Sequence, residues 1–340
     1  MLNRRLLTEW RRAIRNSRWN ADAHLRAHER SVPVDQDAIV RVDTCQLAAN
    51  SPIEVFLFSC KINSQRQQVI DYYKAFTNNK DLHTVRDALK FAFETCDDNL
   101  CRAALPDNRG KIDRLSVMTA ASGSCATLAH IRKRNLHVAN VGDGAAVLGV
   151  VNPNGSVIAR QLSRAHCIDN ADEVQRIRAS HPTSETHVLR GGRLLGELYP
   201  LRAFGDVRFK WPLDLQKVVL EPLGSPAPPN LYTPPYLTVS PEVFYHKLTA
   251  NDKFLVLATD GLWEWLDPDT VVRLVHDHAL GTMTLQPYQP KSGTPLKQVP
   301  PGRARNYRDD ISVVVIHFNE KYLEEDDEVV TPQGLEMQAK

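Results

Sequence analysis

From Ser124 onward the sequence changes to the short period of β structure, in four runs: Cys125 to Ile131, Leu136 to Val141, Ala145 to Val151 and Ser156 to Leu162. The links between them, Arg132-Lys133-Arg134-Asn135, Gly142-Asp143-Gly144 and Asn152-Pro153-Asn154-Gly155, are rich in turn formers. A parallel pair needs a crossover of about a dozen residues, so links this short require antiparallel neighbours. The expectation is a meander of four strands, which needs helices or a second sheet to cover it.

Helical patterns stand on either side. Thr84 reads as the N-cap of a helix to Ala104, with Val85, Leu89, Ala92, Phe93, Cys96 and Leu100 on one face. Gln65 to Phe76 has a weaker helical pattern. Asp169-Asn170 caps a helix to about Ser180, and Asp267-Pro268 opens another with Val271, Val272, Leu274 and Val275 inside. Residues 19–52 read as irregular apart from Ala38 to Val42, and Glu54 to Phe58 is a brief β-prone run. The stretch from Leu213 to Leu237, with prolines from Pro222 to Pro235, reads as loop, and so do residues 281–303. The fold class is therefore α+β, with antiparallel sheet and segregated helices. Its divisions are an N-terminal segment (1–35), one domain (36–320) and an acidic tail (321–340).

Bulk properties narrow the function classes. A net charge of +2 with interspersed basic residues gives no footprint for nucleic acid. The 6 cysteines include no CxxC pair, which fits a reduced compartment better than a disulfide framework. No apolar run is long enough to span a bilayer. Met1 to Arg18 carries Arg4, Arg5, Arg11, Arg12, Arg15 and Arg18, with Leu2, Leu6, Trp10 and Ile14 at helical spacing. That composition is shared by mitochondrial presequences and by solvated surface helices.

The chemistry is carried by acids at strand ends. Leu255-Val256-Leu257-Ala258-Thr259 is an apolar strand delivering Asp260, followed by Gly261-Leu262-Trp263-Glu264. Asp309-Asp310 precedes a second apolar strand, Ile311 to Phe318, and Asp143 sits in the middle turn of the meander. Carboxylates with water are ligands for Mg²⁺ or Mn²⁺, and a metal pair can activate water against a phosphoryl group. An Asp before Gly at a strand end also serves as plain turn chemistry.

Ala258 to Glu264 and Tyr307 to Val315 resemble two signature blocks of the metal-dependent PP2C-type (PPM) serine/threonine phosphatases. Asn140 to Ala146 resembles a third block, and Ser122 to Thr127 the strand before it. Leu201 to Trp211 and Tyr232 to Leu237 are similar to the pyruvate dehydrogenase phosphatase branch of that family. The resemblance implies an antiparallel β-sandwich flanked by helices, with Asp260 and Asp309 holding paired Mg²⁺ or Mn²⁺ ions. It also implies Asp143 and Glu264 at a third metal position, and Arg202, Phe204 and Asp206 supporting the fold. Its substrate would be a phosphoserine or phosphothreonine protein, the pyruvate dehydrogenase complex being the expected partner. Its compartment would be the mitochondrial matrix, and otherwise the cytoplasm.

One element of the family pattern is missing. The Asp-Gly-His that should end an early strand and bridge both ions is absent. Glu54 matches the family's first-strand acid, but Val55 follows where a second acid is expected, and the chain proceeds to Lys61 without the intervening strand-turn-helix. Two readings follow: a metal-dependent phosphatase, or a catalytically impaired pseudophosphatase or truncated isoform acting as a binding protein.

Overall fold

The computed structural model describes residues 84–280 and 311–318 throughout, the strand backbones at 30–35, 38–46 and 53–58, and residues 68, 69, 71–73 and 323. In chain order the strands begin with β1 (Arg30–Asp35), β2 (Ala38–Gln46) and β3 (Ile53–Phe58). Helices α1 (Val85–Ala103) and α2 (Arg114–Ser122) follow, then β4 (Ala126–Arg132), β5 (Asn135–Val141), β6 (Ala145–Val151) and β7 (Val157–Gln161). Next come α3 (Ala171–Ser180), the short hairpin β8 (Leu189–Arg190) and β9 (Arg193–Leu194), and α4 (Leu213–Val219). The last elements are β10 (Glu242–Lys247), β11 (Asp252–Ala258), α5 (Asp260–Trp263), α6 (Pro268–Ala279) and β12 (Ile311–His317).

Two sheets stack, one ordered β1-β2-β12-β11-β6-β7 and the other β10-β5-β4-β3. Side chains alternate across a strand, so each sheet feeds two apolar layers. Ala129, Ile131, Leu136 and Val138 of the smaller sheet meet Leu148, Leu255, Leu257, Val314 and Ile316 of the larger between the sheets. The outer face of the smaller sheet, Leu128, Ala139 and Val243 among it, is covered by Leu89, Ala92, Phe93 and Cys96 of α1. The outer face of the larger, including Phe254, Val256 and Val313, packs on Val271, Val272 and Val275 of α6. This is the expected antiparallel sandwich flanked by helices, and it explains why strands such as β4 and β6 are buried along almost their whole length. Among the described residues no helix is long and apolar enough to cross a membrane.

The helix starts obey local capping chemistry. Thr84 accepts from the Asp87 amide, Asn170 from Asp172 and Asp267 from Thr270, each satisfying a donor that the first turn leaves open.

Three expectations are corrected. The four runs after Ser124 are strands, but β5 and β6 do not pair. β5 lies between β10 and β4, while β6 pairs with β11 and β7. The Gly142-Asp143-Gly144 turn carries the chain from one sheet to the other, because β6 finds its partner in β11 across the sandwich. Within residues 19–52, β1 and β2 form a hairpin, and β2 lies parallel to β12. The backbone demand of β12, a buried strand needing partners on both edges, decides this rather than any local pattern. Finally, residues 213–219 are helical because the first proline of that stretch is Pro222, leaving Leu215 and Val219 to reach the core around Trp211. The pattern at Gln65 to Phe76 and the predicted loop at 281–303 lie largely or wholly outside the described residues.

Candidate functional site

The acid-bearing end of the sandwich is fixed by register. Ala258, the last residue of β11, pairs with Ala145 at the start of β6 on one side and with Val313 of β12 on the other. Asp143 lies two residues before Ala145 and Asp260 two residues after Ala258, so antiparallel pairing brings both to the same end. The contact is close: a Cβ on Gly144 would stand 3.2 Å from the Ala258 carbonyl oxygen and 2.9 Å from Thr127 Oγ1.

Asp260 is held by its neighbours. The Thr259 amide donates to Ser312 O (3.1 Å) and the Ser312 amide to Thr259 Oγ1 (3.0 Å), which locks the exit of β11 to the entry of β12. The Trp263 indole N–H donates to Ala258 O at 2.9 Å, closing the turn from the other side. Asp260 Oδ1 accepts from the Gly261 amide at 2.9 Å. Glu264, whose amide donates to Asp260 O at 2.8 Å, is one helical turn on and exposed.

Asp143 sits in a more crowded setting. Gly142 has φ +103°, and a Cβ there would come within 2.1 Å of Cys125 Sγ, so the turn presses directly on that thiol. Burial and then the Asp143 charge push the Cys125 thiol well above its ordinary pKa, and the Asp143 carboxylate hydrogen-bonds to it. A protonated thiol there is a donor to Asp143 and no nucleophile. Tyr199 stands nearby against Cys167; burial, then Cys167, Asp169 and Asp143, push its hydroxyl up to about 12.

Beneath the turn, fully buried Asn140 donates from Nδ2 to Gly142 O (3.2 Å) and Arg164 O (3.1 Å), and its Oδ1 accepts from Thr127 Oγ1 (2.7 Å). His166, also fully buried, accepts the Gly142 amide proton on Nδ1 at 3.1 Å, and its own amide donates to Gly142 O at 2.8 Å. Sequence reasoning missed these roles. Thr127 and Asn140 lie inside motifs already singled out, whereas a lone histidine in the loop after β7 carries no sequence signal.

The remaining residues divide plainly. Glu54 lies on β3 opposite His130, while Phe58 is opposite Ala126 near the Asp143 turn. The Glu54 backbone is thus about 13 Å along the strand from the end of the sandwich that carries Asp143 and Asp260. Asp309 and Asp310 lie outside the described residues, although β12 begins at this end. Arg202 and Phe204 are structural. Arg202 binds Glu173 through two nitrogens, and the Phe204 ring meets Phe93 at 5.2 Å between centroids.

The donors gathered here are hard carboxylate oxygens, a type that suits Mg²⁺ or Mn²⁺. The described residues supply a pair, Asp143 and Asp260, with Glu264 beside them; no group of three or more His, Cys, Asp or Glu able to hold a metal occurs among the described residues.

Comparison with known proteins places these motifs in context. The family model "Protein phosphatase 2C" matches residues 54–287. The mitochondrial pyruvate dehydrogenase [acetyl-transferring]-phosphatase 1 of Bos taurus is 42% identical over 244 residues, covering 68% of this chain and 44% of that protein. Phosphatase 2 of Homo sapiens, of the same description, is 35% identical over 301 residues, 70% of this chain and 57% of its own. A protein phosphatase 2C homologue of Schizosaccharomyces pombe is 30% identical over 380 residues, covering 88% of this chain and 85% of its own. The chain thus spans about half the length of the mammalian relatives it matches. The alignment of 380 exceeds the chain's 340 residues, so the yeast relative has segments that this chain lacks.

Proposed function

The chain belongs to the protein phosphatase 2C family, and on that premise we propose that it hydrolyses phosphoserine and phosphothreonine esters of a protein substrate with Mg²⁺ or Mn²⁺. The observation that carries the proposal is the placement of Asp143 and Asp260 at one end of the sandwich by the Ala145–Ala258 register. These two carboxylates would hold metal, with Glu264 and Asp309 as the further ligands proposed for this chain. A divalent ion bound there supplies an activated water and neutralises phosphoryl charge. The protein's own contribution is to fix the ligands: Thr259, Ser312 and Trp263 hold the Asp260 turn, and Asn140 and His166 hold the Asp143 turn.

The proposed substrate is the phosphorylated pyruvate dehydrogenase complex in the mitochondrial matrix, supported by 42% identity to the mitochondrial phosphatase and by the arginine-rich first eighteen residues. The test is inorganic phosphate release, with Mn²⁺, from phosphoserine peptides copied from pyruvate dehydrogenase and from unrelated proteins. Preference for the former supports the substrate; equal rates on all peptides contradict it while leaving the phosphatase reading in place.

A further inference from the structure

We propose that His166 is a positioning residue for the metal-binding turn, clamping Gly142 so that Asp143 is presented in one orientation. The proposal rests on the functional reading above in taking Asp143 as a ligand.

The clamp is two-sided. Gly142 gives its N–H to His166 Nδ1 and takes the His166 N–H on its carbonyl, so one residue satisfies both backbone groups of the glycine that precedes Asp143. The same carbonyl accepts Asn140 Nδ2. Because Nδ1 is the acceptor, the ring proton belongs on Nε2. Nε2 faces Glu242 Oε2 at 3.7 Å, longer than a hydrogen bond, and neither buried atom has another hydrogen-bond partner. Glu242 itself is oriented by Arg164 Nη2 at 2.9 Å, and Arg164 Nη1 is held by Asp172 at 2.5 Å on α3. A chain of contacts therefore runs from α3 through β10 to the acid turn. The imidazole supplies one arm of the clamp and the His166 backbone amide the other, so a side chain that only filled space would leave the Gly142 N–H without this acceptor. Residues behind metal ligands commonly change affinity by about 10–100-fold when removed.

The clamp is tested first without metal, in the full-length chain, by hydrogen exchange at the Gly142 amide. Slow exchange is expected in the wild type and in His166→Asn, whose Oδ1 can stand in for Nδ1 as acceptor. Exchange at least about tenfold faster is expected in His166→Ala, with Val147 in β6 unchanged. Unchanged Gly142 protection in a folded His166→Ala overturns the clamp. If that variant does not fold, His166→Leu, which fills the site without an acceptor, takes its place: faster Gly142 exchange supports the proposal and unchanged protection overturns it. In the second arm Mn²⁺ alone is titrated and the free ion followed by electron paramagnetic resonance. Binding about 10–100-fold weaker in His166→Ala, restored in His166→Asn, supports positioning of the ligand; equal binding in all three refutes it. A wild-type chain that binds no Mn²⁺ removes the phosphatase reading, and the exchange result still decides the clamp.

Discussion

Ala145 and Ala258 face each other at the ends of β6 and β11, and that pairing sets the position of both acids proposed to bind metal. Neither alanine can do chemistry. Each is buried, small enough to let the turn and the strand exit approach, and followed or preceded at a fixed interval by a carboxylate. The site is a consequence of register, and a one-residue slip of β6 would turn Asp143 to the other face.

The acids are expected to contribute unequally. Asp143→Asn should raise the Mn²⁺ concentration for half-maximal phosphate release by about tenfold, because Asp143 follows a glycine whose N–H and C=O are both hydrogen-bonded. Glu264→Gln, on an exposed residue one turn past Asp260, should shift it by less than about threefold. Metal titrations of the two variants check the order; a larger shift for Glu264→Gln would contradict it.

Gly142→Ala should damage the site more than the fold. The methyl group meets Cys125 Sγ at 2.1 Å in a backbone conformation that disfavours side chains. A stability loss of about 1–3 kcal/mol is expected, measured by urea unfolding, together with weakened metal response. Wild-type stability and metal response together would show that the turn is not constrained as described.

Glu173 anchors α3. It is buried and accepts from Arg202 and Arg176, while Arg202 Nη1 also donates to Ser240 O at 2.6 Å and Arg176 Nη2 to Leu201 O at 3.1 Å. Burial alone would raise its carboxyl; the hydrogen bonds and charges of the two arginines outweigh burial and bring it down to about 2. A lowered folded-state pKa means stability present at pH above about 4.5 and lost as the pH falls toward 2. Glu173→Ala should cost about 3–5 kcal/mol at pH 7 by leaving two guanidinium groups unpaired. The gap to wild type should narrow below pH 4; denaturant unfolding across that range checks it.

Asp206 has the opposite sign. Burial raises its carboxyl to about 6, with Lys210 and Arg208 opposing and Asp97 adding. The neutral form is the one the fold prefers, so its contribution is present below about pH 4 and disappears as the pH rises to 6. Asp206→Asn should therefore match the wild type near pH 4 and exceed its stability at pH 7.5. A less stable variant at pH 7.5 would show that the ionised carboxylate is needed.

Much of this architecture was legible in the sequence, for reasons visible in particular residues. The helices from Thr84, Asn170 and Asp267 were readable because capping is local: the side chain reaches an amide two or three residues on. Asp260 stood out because an apolar strand ending in Asp-Gly-Leu-Trp is rare and family-specific. The crossing of sheets at Gly142-Asp143-Gly144 was not readable, since a tight turn between two strands has the same local chemistry whether or not they pair. The β2–β12 pairing was hidden too, because the partners are more than 250 residues apart in sequence. His166 was invisible for a related reason: its role depends on which backbone it meets.

The most direct test of the central account is phosphate release from a phosphoserine peptide by the full chain and by Asp260→Asn, each shown to be folded, across a Mn²⁺ titration. The account predicts release that requires Mn²⁺, stops on chelation and falls by about 100-fold or more in Asp260→Asn. A folded wild-type chain that releases no phosphate at any Mn²⁺ concentration, or an Asp260→Asn variant as active as the wild type, would contradict it.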